Sequence, residues 1–249
     1  MIAVGRDGAV AVVTIDREEA LNALDVATLT ELRDRLHEIA GDASVRAVVL
    51  TGAGEKAFAA GADIKYMSGL DTEQAEAWGA LGHEATGLLE SMPKPAIAAI
   101  NGFALGGGCE LALACDLRYA SSRAKLGQPE INLAIVPGWG GTQRLARVAG
   151  IAFAKNLIYS GRTVDAEEAL RAGLVNAIAD PVVDKAVEVA HSLAAKSAVA
   201  MAAAKRLVNL APGVFDAEAR EFGELFASAD TREGLTAFAE KRAPRFVHR

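Results

Sequence analysis

Three short runs of small and β-branched apolar residues mark the first hundred positions, and each is too short to be a helix. They are AVAVVTIDR (Ala9 to Arg17), VRAVVLTG (Val45 to Gly52) and PAIAAI (Pro95 to Ile100). Each reads as a strand, and the last two carry so little polarity that both faces must be covered. Helical spacing separates them. Val26, Leu29, Leu32, Leu36 and Ile39 follow a capping Asp25 and stop at Gly41, and Asp71 to Glu90 carries Trp78, Leu81, Leu88 and Leu89 on one side. Further on, DLRYAS and LVNAIAD read as strands, and Asp165 with Glu168 frames the start of a helix that Gly173 ends. Buried strands alternating with helices predict a largely parallel, layered α/β core up to about residue 180. From Val182 onward the pattern is helical, and Lys196 and Lys205 interrupt the alanine-rich stretch Ala186 to Ala204 before it resembles a membrane span.

Composition narrows the function classes. A net charge of −6 leaves no general footprint for a phosphate backbone, and 5% aromatic residues offer few stacking platforms for single strands, so nucleic acid is not an expected partner. Cys109 and Cys115 are the only cysteines, with no Cys-x-x-Cys and four scattered histidines. They read as small buried apolar residues rather than a metal site or disulfide framework. The opening MIAVGRDGAV has no basic segment followed by an apolar core, so the expectation is a soluble cytoplasmic protein without a membrane span.

Five motifs could carry chemistry. TGAGEKA (Thr51 to Ala57) fits the dinucleotide fingerprint, but the segment after Ala57 has no apolar helical stripe, so a nucleotide cofactor is not expected. FAAGAD (Phe58 to Asp63) is either a tight turn using Gly61 at positive φ or a loop presenting the Ala62 N–H. Gly106, Gly107 and Gly108 either pack a helix closely or expose N–H groups at the start of a helix from about Leu105 to Ala114. Glu110 lies in that otherwise apolar helix, either wetted at its frayed start or buried with a shifted proton affinity. Glu130 follows Pro129 in GQPE, as a surface turn residue or an aimed carboxylate, and Gly140 and Gly141 open another helix nearby. Together these describe two donors for a developing oxyanion and two carboxylates able to trade protons with water.

FAAGADIKYM, KPAIAAINGFALGGGCELALACDLRYA, GQPEINLAIVPGWGGTQRL and FAEKRAPRF, in this order over nearly the whole chain, resemble the enoyl-CoA hydratase/isomerase (crotonase) superfamily. The resemblance implies an α/β fold, a spiral of ββα units over residues 1–180. A helical oligomerisation region over 181–249 would continue the same unit and build a homotrimer or homohexamer. It implies acyl-CoA thioester substrates, no metal and no separate cofactor. It places an oxyanion hole on the N–H groups of Ala62 and Gly107. Ala62, Asp63, Ile64, Lys65, Gly107, Phe238 and Lys241 would contact substrate, and Glu110 and Glu130 would be the acid–base pair of a hydratase. Double-bond isomerases of the family commonly rely on one carboxylate, so two favour hydration. The open alternatives are an isomerase or another reaction on the same oxyanion hole, and a non-catalytic RNA-binding protein on this fold. Trp139 departs from the small residue often found in this family's PGxGGT, which leaves acyl length open.

Overall fold

The computed structural model describes residues 1–210, 213 and 215–249. The chain opens with an antiparallel hairpin, β1 (Ile2–Asp7) and β2 (Val10–Ile15), followed by α1 (Val26–Gly41). One plan then repeats. It runs through β3 (Ala47–Gly52), β4 (Ala57–Ala59), α2 (Ile64–Met67) and α3 (Thr72–Ser91). It runs again through β5 (Ala96–Ile100), β6 (Phe103–Leu105) and α4 (Gly107–Ala114). The third pass is β7 (Leu117–Ala120), β8 (Lys125–Gly127), a 3-10 turn over Glu130–Leu133, α5 (Gly141–Ala149) and α6 (Ile151–Ser160). After it come β9 (Thr163–Asp165), α7 (Ala166–Arg171) and β10 (Ala177–Ile178). The helices α8 (Val182–Ala194), α9 (Ala198–Val208), α10 (Phe215–Leu225) and α11 (Ala229–Ala239) complete the chain.

The pairing makes this a spiral. β3, β5 and β7 are parallel neighbours in a sheet ordered β1-β2-β3-β5-β7-β10, and β4, β6 and β8 are parallel neighbours in a second sheet ordered β4-β6-β8-β9. Each pass of the chain therefore lays one strand in each sheet before turning into a helix. Alternation within the buried strands serves two cores. Val48, Leu50, Ala96, Ala98 and Ile100 face the main core, while Ala47, Val49, Ile97 and Ala99 face Ala186, Ala190 and Ala194 of α8. Alanines at helical spacing let α8 lie close to the sheet, so it packs on the spiral although it follows residue 181.

Two boundaries differ from the expectation. Leu105 ends β6, so the helix carrying Glu110 starts at Gly107. Phe58 and Ala59, expected in a loop, belong to β4. The strands of the second sheet span three residues each, too few to show a period. TGAGEKA leads from β3 into β4 rather than into a helix, which removes the geometry a dinucleotide needs. Asp25 caps α1 through the Thr28 N–H and Asp165 caps α7 through the Glu168 N–H. Among the described residues no helix is long and apolar enough to cross a membrane.

Candidate active site

The loop at Gly61 is laced to Leu21–Leu24 by main-chain bonds. The Ala60 N–H donates to the Leu21 carbonyl, the Leu24 N–H to the Gly61 carbonyl, and the Asp63 N–H to the Leu24 carbonyl, at 2.9–3.0 Å. Main-chain groups alternate sides along an extended segment, so the Ala62 N–H faces away from this lacing. Gly61 sits at φ 111° and Gly106 at φ 49°, conformations that side chains with a Cβ resist. Gly106 spends its N–H on the Gly127 carbonyl at 2.9 Å. Gly107 is the first residue of α4, where no carbonyl one turn back awaits the N–H. Neither the Ala62 nor the Gly107 N–H has an acceptor among the described residues. A Cβ at Gly106 would lie 2.9 Å from Glu130 Oε1 and 4.0 Å from the Gly61 Cα, so both loops and Glu130 meet at this point.

Glu110 is buried, 2% exposed, on a helix with every residue buried. Its Oε1 accepts the N–H groups of Trp139 and Gly141, each at 2.7 Å. Burial pushes its carboxyl above the ordinary value, while those two N–H groups and the nearby Arg144 guanidinium pull the other way. Glu130 opens the 3-10 turn after Pro129 and is 9% exposed. Burial is the larger cause, and the negative charge of Glu110 the smaller one, that push it up to about 7. The Gln128 side chain, turned with its nitrogen inward, donates to Glu130 Oε1 at 2.9 Å and Oε2 at 3.2 Å.

Ala62, Gly107, Glu110 and Glu130 line one cavity of about 350 Å³. Its walls are otherwise apolar, with Met67, Leu70, Trp78, Ile135, Val136 and Trp139 among them. Asp63, Ile64 and Lys65 do not line it. Asp63 caps α2 through the N–H groups of Lys65 and Tyr66 and pairs with Arg17 at 3.3 Å, and Ile64 and Lys65 are exposed on the first turn of α2. The single chain does not bring Phe238 and Lys241 to the cavity, because both are exposed at the end of α11. Cys109 and Cys115 are free and buried, and burial pushes each thiol up to about 12.

The turn that holds Glu110 has a support that motif reading missed. The Trp139 carbonyl accepts from Arg144 Nη1 at 2.8 Å and Thr86 Oγ1 at 3.2 Å. Arg144 is itself gripped by Glu90 Oε2 through Nε at 3.0 Å and Nη2 at 2.8 Å. Glu90 lies on α3, distant in sequence, and an Arg one turn into a helix opened by two glycines is the available hint. Removing Arg144 would leave Glu90 with Arg147 as its remaining partner and would take one of the two side-chain donors from the Trp139 carbonyl. Arg144→Leu is therefore expected to lower stability by about 1–2 kcal/mol, read as an earlier urea midpoint with unchanged slope.

Residues 5–249 match the family described as enoyl-CoA hydratase/isomerase. The chain is 47% identical to a short-chain-enoyl-CoA hydratase of Clostridium acetobutylicum, over 95% of this chain and 94% of that protein. It is 44% identical to a crotonyl-CoA hydratase of Syntrophomonas wolfei with the same coverage. The crystal structure of an enoyl-CoA hydratase from Bacillus anthracis superposes with a TM-score of 0.95 at 41% identity, covering 100% of this chain and 99% of that one. The spiral, the paired loops around the cavity and these likenesses over full length agree, and the chain belongs to the enoyl-CoA hydratase/isomerase family.

Proposed function

We infer that the protein is a cytoplasmic enoyl-CoA hydratase, adding water to a trans-2-enoyl-CoA to give the 3-hydroxyacyl-CoA. The observation that carries this reading is the single cavity joining two unpaired N–H groups to two carboxylates held in unequal environments. Glu110 accepts two main-chain N–H groups, which favours its ionised form, whereas repulsion from that charge helps keep a proton on Glu130. In the forward step Glu110 takes a proton from water as the oxygen bonds to Cβ. The double-bond electrons move through Cα into the thioester, whose oxygen gains charge facing the Ala62 and Gly107 N–H groups. Glu130 then gives its proton to Cα, and the proton held by Glu110 passes to Glu130, relayed by an entering water, which restores the starting pair. No metal or separate cofactor enters this scheme, since coenzyme A arrives with the substrate. Apolar side chains exposed on α10 and α11, Phe222 and Phe238 among them, fit a homotrimer or homohexamer. Phe238 and Lys241 belong to the reading only as contacts made by a second copy.

The test is loss of enoyl-thioester absorbance on adding the purified protein to crotonyl-CoA. Hydration needs Glu110 ionised and Glu130 protonated. Glu130 sits at about 7, so its protonated fraction falls as pH rises through that value, and kcat/KM is expected to fall with it. On the acid side, protonation of Glu110, whose carboxyl burial pushes above its ordinary value, removes the base and gives a bell-shaped profile. A protein that shifts a 3-enoyl double bond but adds no water would be an isomerase.

A further inference from the structure

We propose that the Trp139 indole, backed by Trp78, is the end wall of the acyl channel and restricts the protein to short 2-enoyl thioesters. This deepens the hydratase reading and rests on it. The ring is held by α3, α4 and Trp78, and it also lines the cavity. A Cβ at Gly107 would lie 2.1 Å from Trp139 Cζ3, and a Cβ at Gly82 would lie 2.1 Å from Cδ1. The indole is thus slotted between α4 and α3, against bare backbone on both sides. Trp78 meets it edge to face, with centroids 5.4 Å apart and planes at 83°, and Tyr66 meets Trp78 likewise at 5.4 Å and 71°. The Trp139 main chain is tied down as well, its N–H by Glu110 and its carbonyl by Arg144 and Thr86. Swinging the ring aside would disturb packing on two helices.

Where the ring sits decides what it meets. The thioester oxygen must reach the Gly107 N–H, and the reacting carbons must reach Glu110 and Glu130. The ring covers Gly107, and its own main chain holds Glu110, so acyl carbons beyond Cβ run onto it. Trp139 is a buried part of the lining, whereas Ile135 and Val136, 40% and 67% exposed, border the cavity where it meets solvent. A cavity of about 350 Å³ is near the lower bound for ligand pockets, roughly 300–1,000 Å³, and here it must also take the thioester.

The test compares crotonyl-CoA with trans-2-octenoyl-CoA in wild type, Trp139→Ala and Trp139→Phe. Pocket-size discrimination of this kind typically spans about 10–200-fold in kcat/KM. Wild type is expected to favour crotonyl-CoA within that range. Trp139→Ala should raise the octenoyl-to-crotonyl ratio by about tenfold or more, and Trp139→Phe should fall between. Trp139→Phe keeps a ring between the two glycines, so it reports even where the alanine variant does not fold. Binding of butyryl-CoA and octanoyl-CoA by calorimetry is measured in parallel, because these saturated thioesters report channel length without the reaction. A wild type that takes both lengths equally, or variants with an unchanged ratio in turnover and binding, overturns the wall. Absence of hydration with a preserved preference for butyryl-CoA that Trp139→Phe relaxes would retain the wall and reject the hydratase reading alone.

Discussion

Glu110→Gln and Glu130→Gln are each expected to lower kcat for hydration by about 10²–10⁴-fold, the usual contribution of a positioned acid or base. The substitutions are close to isosteric, and their structural effects should be small. In Glu110→Gln the amide oxygen can still accept the Trp139 and Gly141 N–H groups that now meet Oε1. The turn around Trp139 therefore keeps its anchor while water loses its base. In Glu130→Gln the group held near 7 disappears, and with it the alkaline limb of the pH profile. The two variants are thus told apart by which limb of the bell is lost. Thermal midpoints within a few degrees of wild type would show that the fold survives. Wild-type hydration by either variant would remove that residue from the scheme.

Gly107→Ala is expected to lower kcat/KM by about 10²–10³-fold, comparable with loss of one oxyanion donor. The alanine keeps its N–H, so the effect is one of place. Its Cβ would fall 2.1 Å from Trp139 Cζ3, and the indole has no slack because Gly82 stands as close on the other side. The start of α4 must yield instead, and the Gly107 N–H moves away from the thioester oxygen. Overpacking of this kind also costs about 1–3 kcal/mol of stability, visible in urea unfolding. The double variant Gly107→Ala/Trp139→Ala removes the obstruction and should regain about tenfold or more over Gly107→Ala. A single variant with wild-type kinetics would show that the Gly107 N–H does not bind the oxyanion.

The long elements were legible because their patterns repeat enough to be read. β3, β5, α1 and α3 each carry a run or a stripe that burial imposes. The second sheet was not. Its strands, β4, β6, β8 and β9, span three residues each, and such strands are specified by their neighbours rather than by themselves. Glu110, Glu130 and the glycine loops stand out locally as candidates, whereas Ala62 and Gly107 are fixed as the oxyanion donors only by the family resemblance. Gln128, Arg144 and Glu90 are ordinary in their own segments. Their meaning appears only when the spiral brings α3 beside the turn at Trp139, from more than fifty residues away. The pairing of Trp78 with Trp139 was hidden for the same reason, although each could be seen separately as an apolar helix position and an unusual turn residue.

Glu110 is held through the peptide N–H groups of residues 139 and 141, and neither side chain takes part. Two positions in this turn are closed to change. A Cβ at Gly141 would crowd Glu110 and Gln128, and one at Gly140 would run into Arg144. Position 139 lies under no such constraint from the chemistry, since every amino acid except proline offers the same N–H. Its codon is therefore a dial. If the indole is the end wall, a substitution there resizes the pocket while the main-chain hold on Glu110 stays available. The turn keeps the hold on the base in the main chain and leaves the shape of the pocket to a side chain.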